Sequence, residues 1–300
     1  PFFFHAKAVE GSNFITLELT KVYRQTDEHF LEILNAIRDG ITEDIDFEAL
    51  NKRYQPDFDP KDEAYVYLCS HNKMADDINQ KKIKELGGKS HTYKADVVGE
   101  FKETQYPNDE VLELKVGAQI MFIRNDTSPD KKYYNGKLAQ ISYLDEDEIS
   151  VILDGSEEEI TLKAETWEQK KYSLDDEKNI KEEVLGSFKQ FPIRLAWAVT
   201  IHKSQGLTFD RLIIDAGKSF ASGQVYVALS RCRTLEGIVL KSKITPEVIF
   251  SDKRVSKFQD ETHANAKIDE ILNAEKYDYS IQKVIRRIDC VWFQSALENW

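Results

Sequence analysis

The spacing of apolar positions changes period several times along the chain. Residues 14–19, Phe-Ile-Thr-Leu-Glu-Leu, alternate in the manner of a strand. Phe30, Ile33, Leu34 and Ile37 then recur at helical spacing, with Thr26 or Asp27 as the expected cap and Gly40 as the expected stop. Residues 65–69, Tyr-Val-Tyr-Leu-Cys, read as a buried strand, and a helix is expected over 73–86, closed by Gly87-Gly88. Between 112 and 189 the texture becomes one of short alternating runs: 118–123, 138–144, 149–153 and 159–162. Asn135-Gly136 and Asp154-Gly155 punctuate them, and such pairs favour tight hairpins. This stretch is expected to form a small antiparallel β-barrel. After 190 the longer alternation returns, with strands expected at 195–199, 212–214 and 238–240 and a helix over 222–232. The pattern is that of one α/β domain interrupted by a β insertion. Residues 251–269 are polar and expected to be mobile. At the end, Ile281, Val284, Ile285, Ile288, Trp292 and Ala296 share one helical face, as in a helix packed on a core.

Composition narrows the class. The chain has 300 residues, of which 41% are hydrophobic and 31% charged. No apolar run approaches the roughly 18 residues of a membrane span. It opens at Pro1 without a Met, which reads as a cut inside a longer protein. Three widely spaced cysteines, Cys69, Cys232 and Cys290, do not suit a disulfide framework and fit a reducing, cytoplasmic compartment. No histidines or cysteines stand at metal-ligand spacing, so no structural metal is expected. The net charge is −12, but it is unevenly placed. Residues 141–187 hold 15 Asp/Glu against 5 Lys, whereas residues 188–245 hold 9 Lys/Arg against 3 Asp/Glu. Salt screens distant charge within about 10 Å, so a basic face can bind phosphate whatever the total.

The candidate chemistry begins with an absence. A phosphate-cradling loop needs Gly-x-x-x-x-Gly-Lys-Ser/Thr. Gly88-Lys89-Ser90 and Gly217-Lys218-Ser219 match its end, but the first glycine is replaced by Ile83 and Leu212 respectively. Both triplets are decoys, and Asp215 reads as a strand-end residue. The stretch from Trp197 to Asp210 is more informative. Its strand runs directly into Thr200, His202, Lys203, Ser204, Gln205 and Gly206. Hydroxyl, imidazole and ammonium groups at a strand's carboxyl end suit an anion, and open α/β sheets bind ligands at that edge. The next segment, 222–234, carries Arg231 near a helix end. A guanidinium there either satisfies terminal carbonyls or crosses a cleft to a phosphate. Arg24 and Gln25 lie in Thr20–Thr26, between a strand and a helix, where an arginine is most often an ordinary loop residue.

Taken in order, these three segments resemble the Pif-type, RecD-like branch of superfamily-one DNA helicases, over roughly residues 1–245. The resemblance implies a RecA-like second motor domain of the P-loop NTPase type at 1–111 and 190–250. It also implies an inserted SH3-like barrel at 112–189 and a helical extension at 251–300. The phosphate loop and the magnesium-binding acid of the family lie in a preceding RecA-like domain. ATP with Mg²⁺ would therefore be held mainly there and would touch this chain at its edge. Arg231 resembles the family's arginine finger, and Arg24 resembles a second γ-phosphate contact. Gln25, Gln205 and Gly206 would face the nucleotide. Thr200, His202, Lys203 and Ser204, with Ser70 and Asn72, would face DNA. The implied partners are single-stranded DNA, a duplex or structured DNA substrate, and the preceding domain; no membrane is implied. Movement along the strand would run 5′ to 3′. Two other readings stay open: a non-catalytic nucleic-acid-binding or scaffold module that keeps a motor fold, and a subunit of a nuclease-coupled repair helicase. The acidity of 145–187 is unusual for a barrel beside DNA.

Overall fold

In the computed structural model the described residues are 2–9, 21–60, 64–174, 179–215, 223–249, 252, 254–255, 257–258 and 268–288. The expected strand at 14–19, the second Gly-Lys-Ser triplet, Ser222, most of 251–269 and the Trp-rich end from Cys290 lie outside them. The chain divides into two units, Tyr23–Phe250 and a smaller one made of Pro1–Val22 with Ser251–Trp300.

The larger unit is built on a parallel sheet. In chain order its elements begin with α1 (Glu28–Asp39), α2 (Phe47–Asn51), β1 (Val66–Cys69) and α3 (Asn72–Glu85). The antiparallel strands follow: β2 (His91–Lys94), β3 (Asp96–Gly99), β4 (Val111–Leu114), β5 (Gln119–Phe122), β6 (Leu138–Leu144), β7 (Ile149–Leu153), β8 (Glu159–Leu162), β9 (Glu165–Leu174), β10 (Ile180–Gln190) and β11 (Ile193–Leu195). The chain then returns through β12 (Ala198–Thr200), β13 (Leu212–Ile214), α4 (Gln224–Leu229) and β14 (Ile238–Leu240).

The parallel sheet has the order β12-β1-β13-β14. Every residue of β12, β13 and β14 is buried, as expected of short strands covered on both faces. Side chains alternate across such a sheet. Leu68 and Val199 therefore join Phe30, Ile33, Leu34 and Ile37 of α1 and Val225, Ala228 and Leu229 of α4 in one core. Cys69 and Ala198 face the other way, onto Ala75 of α3. Asn79 of α3 fixes that contact, because its amide donates to the Ala198 carbonyl and accepts from the Ala198 N–H, both at 2.9 Å. The α1 boundaries follow the sequence: the Asp27 side chain accepts from Phe30 N–H, and Gly40 ends the helix at φ 73°.

The antiparallel strands span His91–Leu195, a wider range than the 112–189 read from the texture. β11-β5-β6-β7-β8 form one sheet over a second core, β3-β10-β9 form another, and β2 pairs with β4. One strand expected at 195–199 is in fact two. Leu195 pairs with Ile120 in the antiparallel sheet, and Ala198 pairs with Tyr67 in the parallel one. Gln119 marks the crossing, with Nε2 donating to the carbonyls of Tyr65 and Ala196. The expected helix over 222–232 is shorter, so Arg231 lies beyond its end.

In the smaller unit, Phe3 and Phe4 pack on Phe258, and the guanidinium of Arg254 lies 4.9 Å from the Phe2 ring centre. Its long helix, α5 (Ile268–Ile288), begins well before the stripe expected from residue 281 and keeps Ile281, Val284 and Ile285 exposed. Trp292 and Ala296 lie outside the described residues. No described helix is long and apolar enough to cross a membrane.

Candidate functional site: an arginine pair beside the edge of the parallel sheet

Two loops from distant parts of the chain meet at the end of α4. A helix end leaves carbonyls without intrahelical donors. The Ser230 carbonyl accepts from Arg24 Nη1 and from Gln25 Nε2, each at 3.0 Å. Gln25 Nε2 also donates to the Cys232 carbonyl at 2.8 Å. Arg24 Nε donates to Thr208 Oγ1 at 2.8 Å. Arg231 turns back along α4, donating from Nε to the Val227 carbonyl at 3.0 Å and from Nη2 to Ser230 Oγ at 3.1 Å. Its Nη1 lies 3.5 Å from the Leu207 carbonyl.

Arg24 and Arg231 are thus brought together, both half-buried and both anchored on the same two loops. Burial holds the Arg231 pKa below the usual guanidinium value, and the Arg24 charge lowers it further. Among the described residues neither arginine has a carboxylate at ion-pair distance. Two fixed like charges side by side, with donors left over, suit a multiply charged anion such as a terminal phosphate. Gln25 is placed differently from the expectation. It is only 5% exposed and both its bonds go to backbone carbonyls, so it positions the Arg24 loop and does not face a ligand.

The turn after β12 holds the remaining expected residues. Thr200 is buried, and its Oγ1 accepts from Lys203 N–H at 3.2 Å. Ser204 is fully buried, with Oγ donating to the Ile201 carbonyl at 2.7 Å. It is a structural brace, not the DNA-facing residue expected. His202, Lys203, Gln205 and Gly206 are exposed on the turn, which Gly206 closes at φ 82°. Ser70 and Asn72 follow β1, the neighbour of β12 in register Cys69–Thr200, so they share its carboxyl edge. Ser70 Oγ is 2.7 Å from His71 Nδ1.

One stretch therefore joins two surfaces. Residues 200–206 form the exposed edge beside Ser70 and Asn72, and residues 207–208 bond both arginines. Leu207 also packs on the antiparallel unit. A Cβ on Gly136, which sits at φ 96°, would come within 2.9 Å of Leu207 Cδ2. Leu207, Thr208 and Ser230 carry no distinguishing signal in the sequence, although each lies within 197–210 or 222–234.

The other candidates are inert. Gly88-Lys89-Ser90 lies between α3 and β2, and Ser90 Oγ donates to Glu113. Asp215 follows β13 and accepts from Ser242 Oγ at 2.7 Å. Burial pushes the Cys69 and Cys232 thiols up to about 12, so neither is a nucleophile at neutral pH. Among the described residues no group of His, Cys, Asp and Glu is arranged to hold a metal ion.

Comparison with known proteins places the chain in a family. No protein-family model matches the chain. It is 34% identical over 270 residues to the human ATP-dependent DNA helicase PIF1, covering 86% of this chain and 39% of that protein. Among solved structures it is similar to Bacteroides sp. Pif1 in complex with ADP-AlF4, with a TM-score of 0.78 and 36% identity, covering 88% of this chain and 60% of that one. The Bacteroides Pif1 bound to ssDNA gives a TM-score of 0.60 at 36% identity, again covering 88% of this chain and 60% of that one. The chain thus spans less than two thirds of these relatives. Over the matched residues it has the RecA-like fold and belongs to the Pif1 family of superfamily-one helicases.

Proposed function

We propose that this chain is the second motor half of an ATP-dependent DNA helicase that moves along single-stranded DNA. The observation that supports it best is the arginine pair: Arg24 and Arg231 meet through Ser230, with no carboxylate among the described residues at ion-pair distance. ATP with Mg²⁺ would be held by a separate RecA-like domain bearing the phosphate loop, which this sequence lacks. That nucleotide supplies the terminal phosphate on which the arginines close. Arg231 then stabilises the charge that develops during phosphoryl transfer, and Arg24 orients the same group. Gln205 and Gly206, exposed on the turn after β12, would face that nucleotide.

The coupling follows from the 200–208 stretch. Closing the cleft moves residues 207–208 with the arginines, and residues 200–206 are continuous with them. Lys203 and His202, with Ser70 and Asn72, would grip the DNA backbone at the strand edge. Loss of the terminal phosphate removes the arginines' partner, and the cleft reopens. Alternating grip between two domains would then carry the protein along the strand, 5′ to 3′ by family resemblance. Contacts to phosphate read no sequence, so binding should be salt-sensitive and sequence-tolerant.

ATPase measurements test this reading. The chain alone should turn over no ATP. Joined to a RecA-like domain that carries the phosphate loop, it should support DNA-stimulated turnover. Arg231→Ala should then cut the rate by roughly 10³ or more while leaving single-strand affinity within about twofold. Near-normal turnover by that variant would refute the assignment.

A further inference from the structure

A cavity of about 380 Å³ opens at the seam between the parallel sheet and the antiparallel unit. Its volume falls in the range of small-ligand pockets, about 300–1,000 Å³. Asn72, Thr200 and Lys203 line it, so it is continuous with the strand-gripping edge. Arg194 of β11 lines it from the other side.

Arg194 is poorly satisfied where it stands. Its Nη2 donates to the Pro107 carbonyl at 3.1 Å, and its Nε is closed off from solvent without a partner. Burial pushes its pKa down, and the nearby carboxylate of Asp109 opposes that shift. No carboxylate among the described residues comes within ion-pair distance of it. The closed-off Nε can take no ligand, so a group bonding Arg194 must meet it through the part of the side chain that lines the cavity.

The other walls define what that group is. Asp76, Asp109 and Glu113 also line the cavity, so a bare phosphate would meet three carboxylates there. A nucleobase carries no net charge and offers acceptors and donors along its edge. Arg194 can serve its acceptors, and the Asn72 and Gln80 amides can serve either kind of group. We propose that this cavity receives one unstacked nucleobase of the bound strand, with Arg194 bonding its edge and Lys203 holding a neighbouring phosphate at the rim. The inference rests on the single-strand-binding reading above and adds a base contact to a surface otherwise expected to touch phosphate alone.

The chain is titrated with oligo(dT) across a salt series, and with the same strand carrying one 2-aminopurine. Each phosphate neutralised on a single strand contributes about 0.7 to the slope of log affinity against log salt. Lys203→Ala should lower that slope by about 0.7. Arg194→Gln should weaken binding by roughly tenfold with the slope unchanged, as fits one lost hydrogen bond to a charged donor. The 2-aminopurine should brighten on binding the unaltered chain and stay dim with Arg194→Gln. Gln80→Ala, on an exposed helix position, should weaken binding severalfold without changing the slope, and it guards against misfolding at Arg194. A slope reduced in Arg194→Gln makes that residue a phosphate ligand and overturns the proposal. Unchanged affinity and brightening in both Arg194→Gln and Gln80→Ala overturn it too, while the Lys203 result leaves the strand-binding reading standing. Failure of the unaltered chain to bind the strand removes both.

Discussion

Gln25 shows how far a single residue can be read before its surroundings are known. Its amide would suit a nucleotide as well as it suits a carbonyl, and sequence places it beside Arg24. The structure spends both observed bonds on the carbonyls of Ser230 and Cys232, which a short helix leaves open. Gln25→Ala should therefore destabilise the fold by about 1–3 kcal/mol, the usual result of leaving one buried acceptor, here the Cys232 carbonyl, unpaired, and a denaturant melt would show it. Nucleotide affinity in a joined two-domain protein should follow only the loss of fold. A variant of full stability with weakened nucleotide binding would return Gln25 to the site. That Arg24 and Arg231 come together was legible only because their segments resemble a family; spacing alone left each at a helix or loop end. Ser204 was misplaced for the same reason as Gln25. A hydroxyl next to a lysine looks like a phosphate ligand until its bond to the Ile201 carbonyl is seen.

At the level of elements, periodicity performed well where one face of one element decides burial. β6, β7, β8, β13 and β14 have the bounds their apolar patterns indicate, and α1 is capped by Asp27 and Gly40. It failed at residues 195–199, because apolar spacing does not record which strand a backbone pairs with. Ala196 and Trp197 carry the chain from one sheet to the other without any break in hydrophobicity. The same blindness hid the start of the antiparallel strands, since β2 and β3 are short and largely solvent-facing.

The antiparallel unit also carries a pH response. The Tyr93 hydroxyl donates to the Asp145 carbonyl at 2.6 Å, and burial, with the Asp145 charge second, pushes its pKa up to about 12. An unfolded tyrosine titrates near pH 10. The folded state holds this proton more tightly, so the contribution is complete below about pH 10 and is lost as pH rises towards 12. Tyr93→Phe should melt lower at neutral pH and lose less of its Tm between pH 10 and 12 than the unaltered chain. Parallel curves would show that Tyr93 titrates as it does in the unfolded chain.

Across the whole molecule, charge is segregated along the chain. The acidic stretch 141–187 belongs to the antiparallel unit, and the basic stretch 188–245 supplies Arg194, Lys203 and Arg231. The net charge of −12 hides that division, which is why a family of DNA-binding proteins is reached through local patterns. The two arginines belong to segments separated by about two thirds of the chain, and the parallel sheet with its helices brings them together at Ser230. The central claim is that Arg231 serves the transition state of phosphoryl transfer. It is tested most directly by comparing ADP with ADP–aluminium fluoride binding in a joined two-domain protein, with and without Arg231. A group that acts only in the transition state strengthens the analogue far more than the product. Arg231→Ala should leave ADP affinity within about twofold and weaken the fluoroaluminate complex by roughly 10³. Equal losses for both ligands, or none for either, would contradict the account.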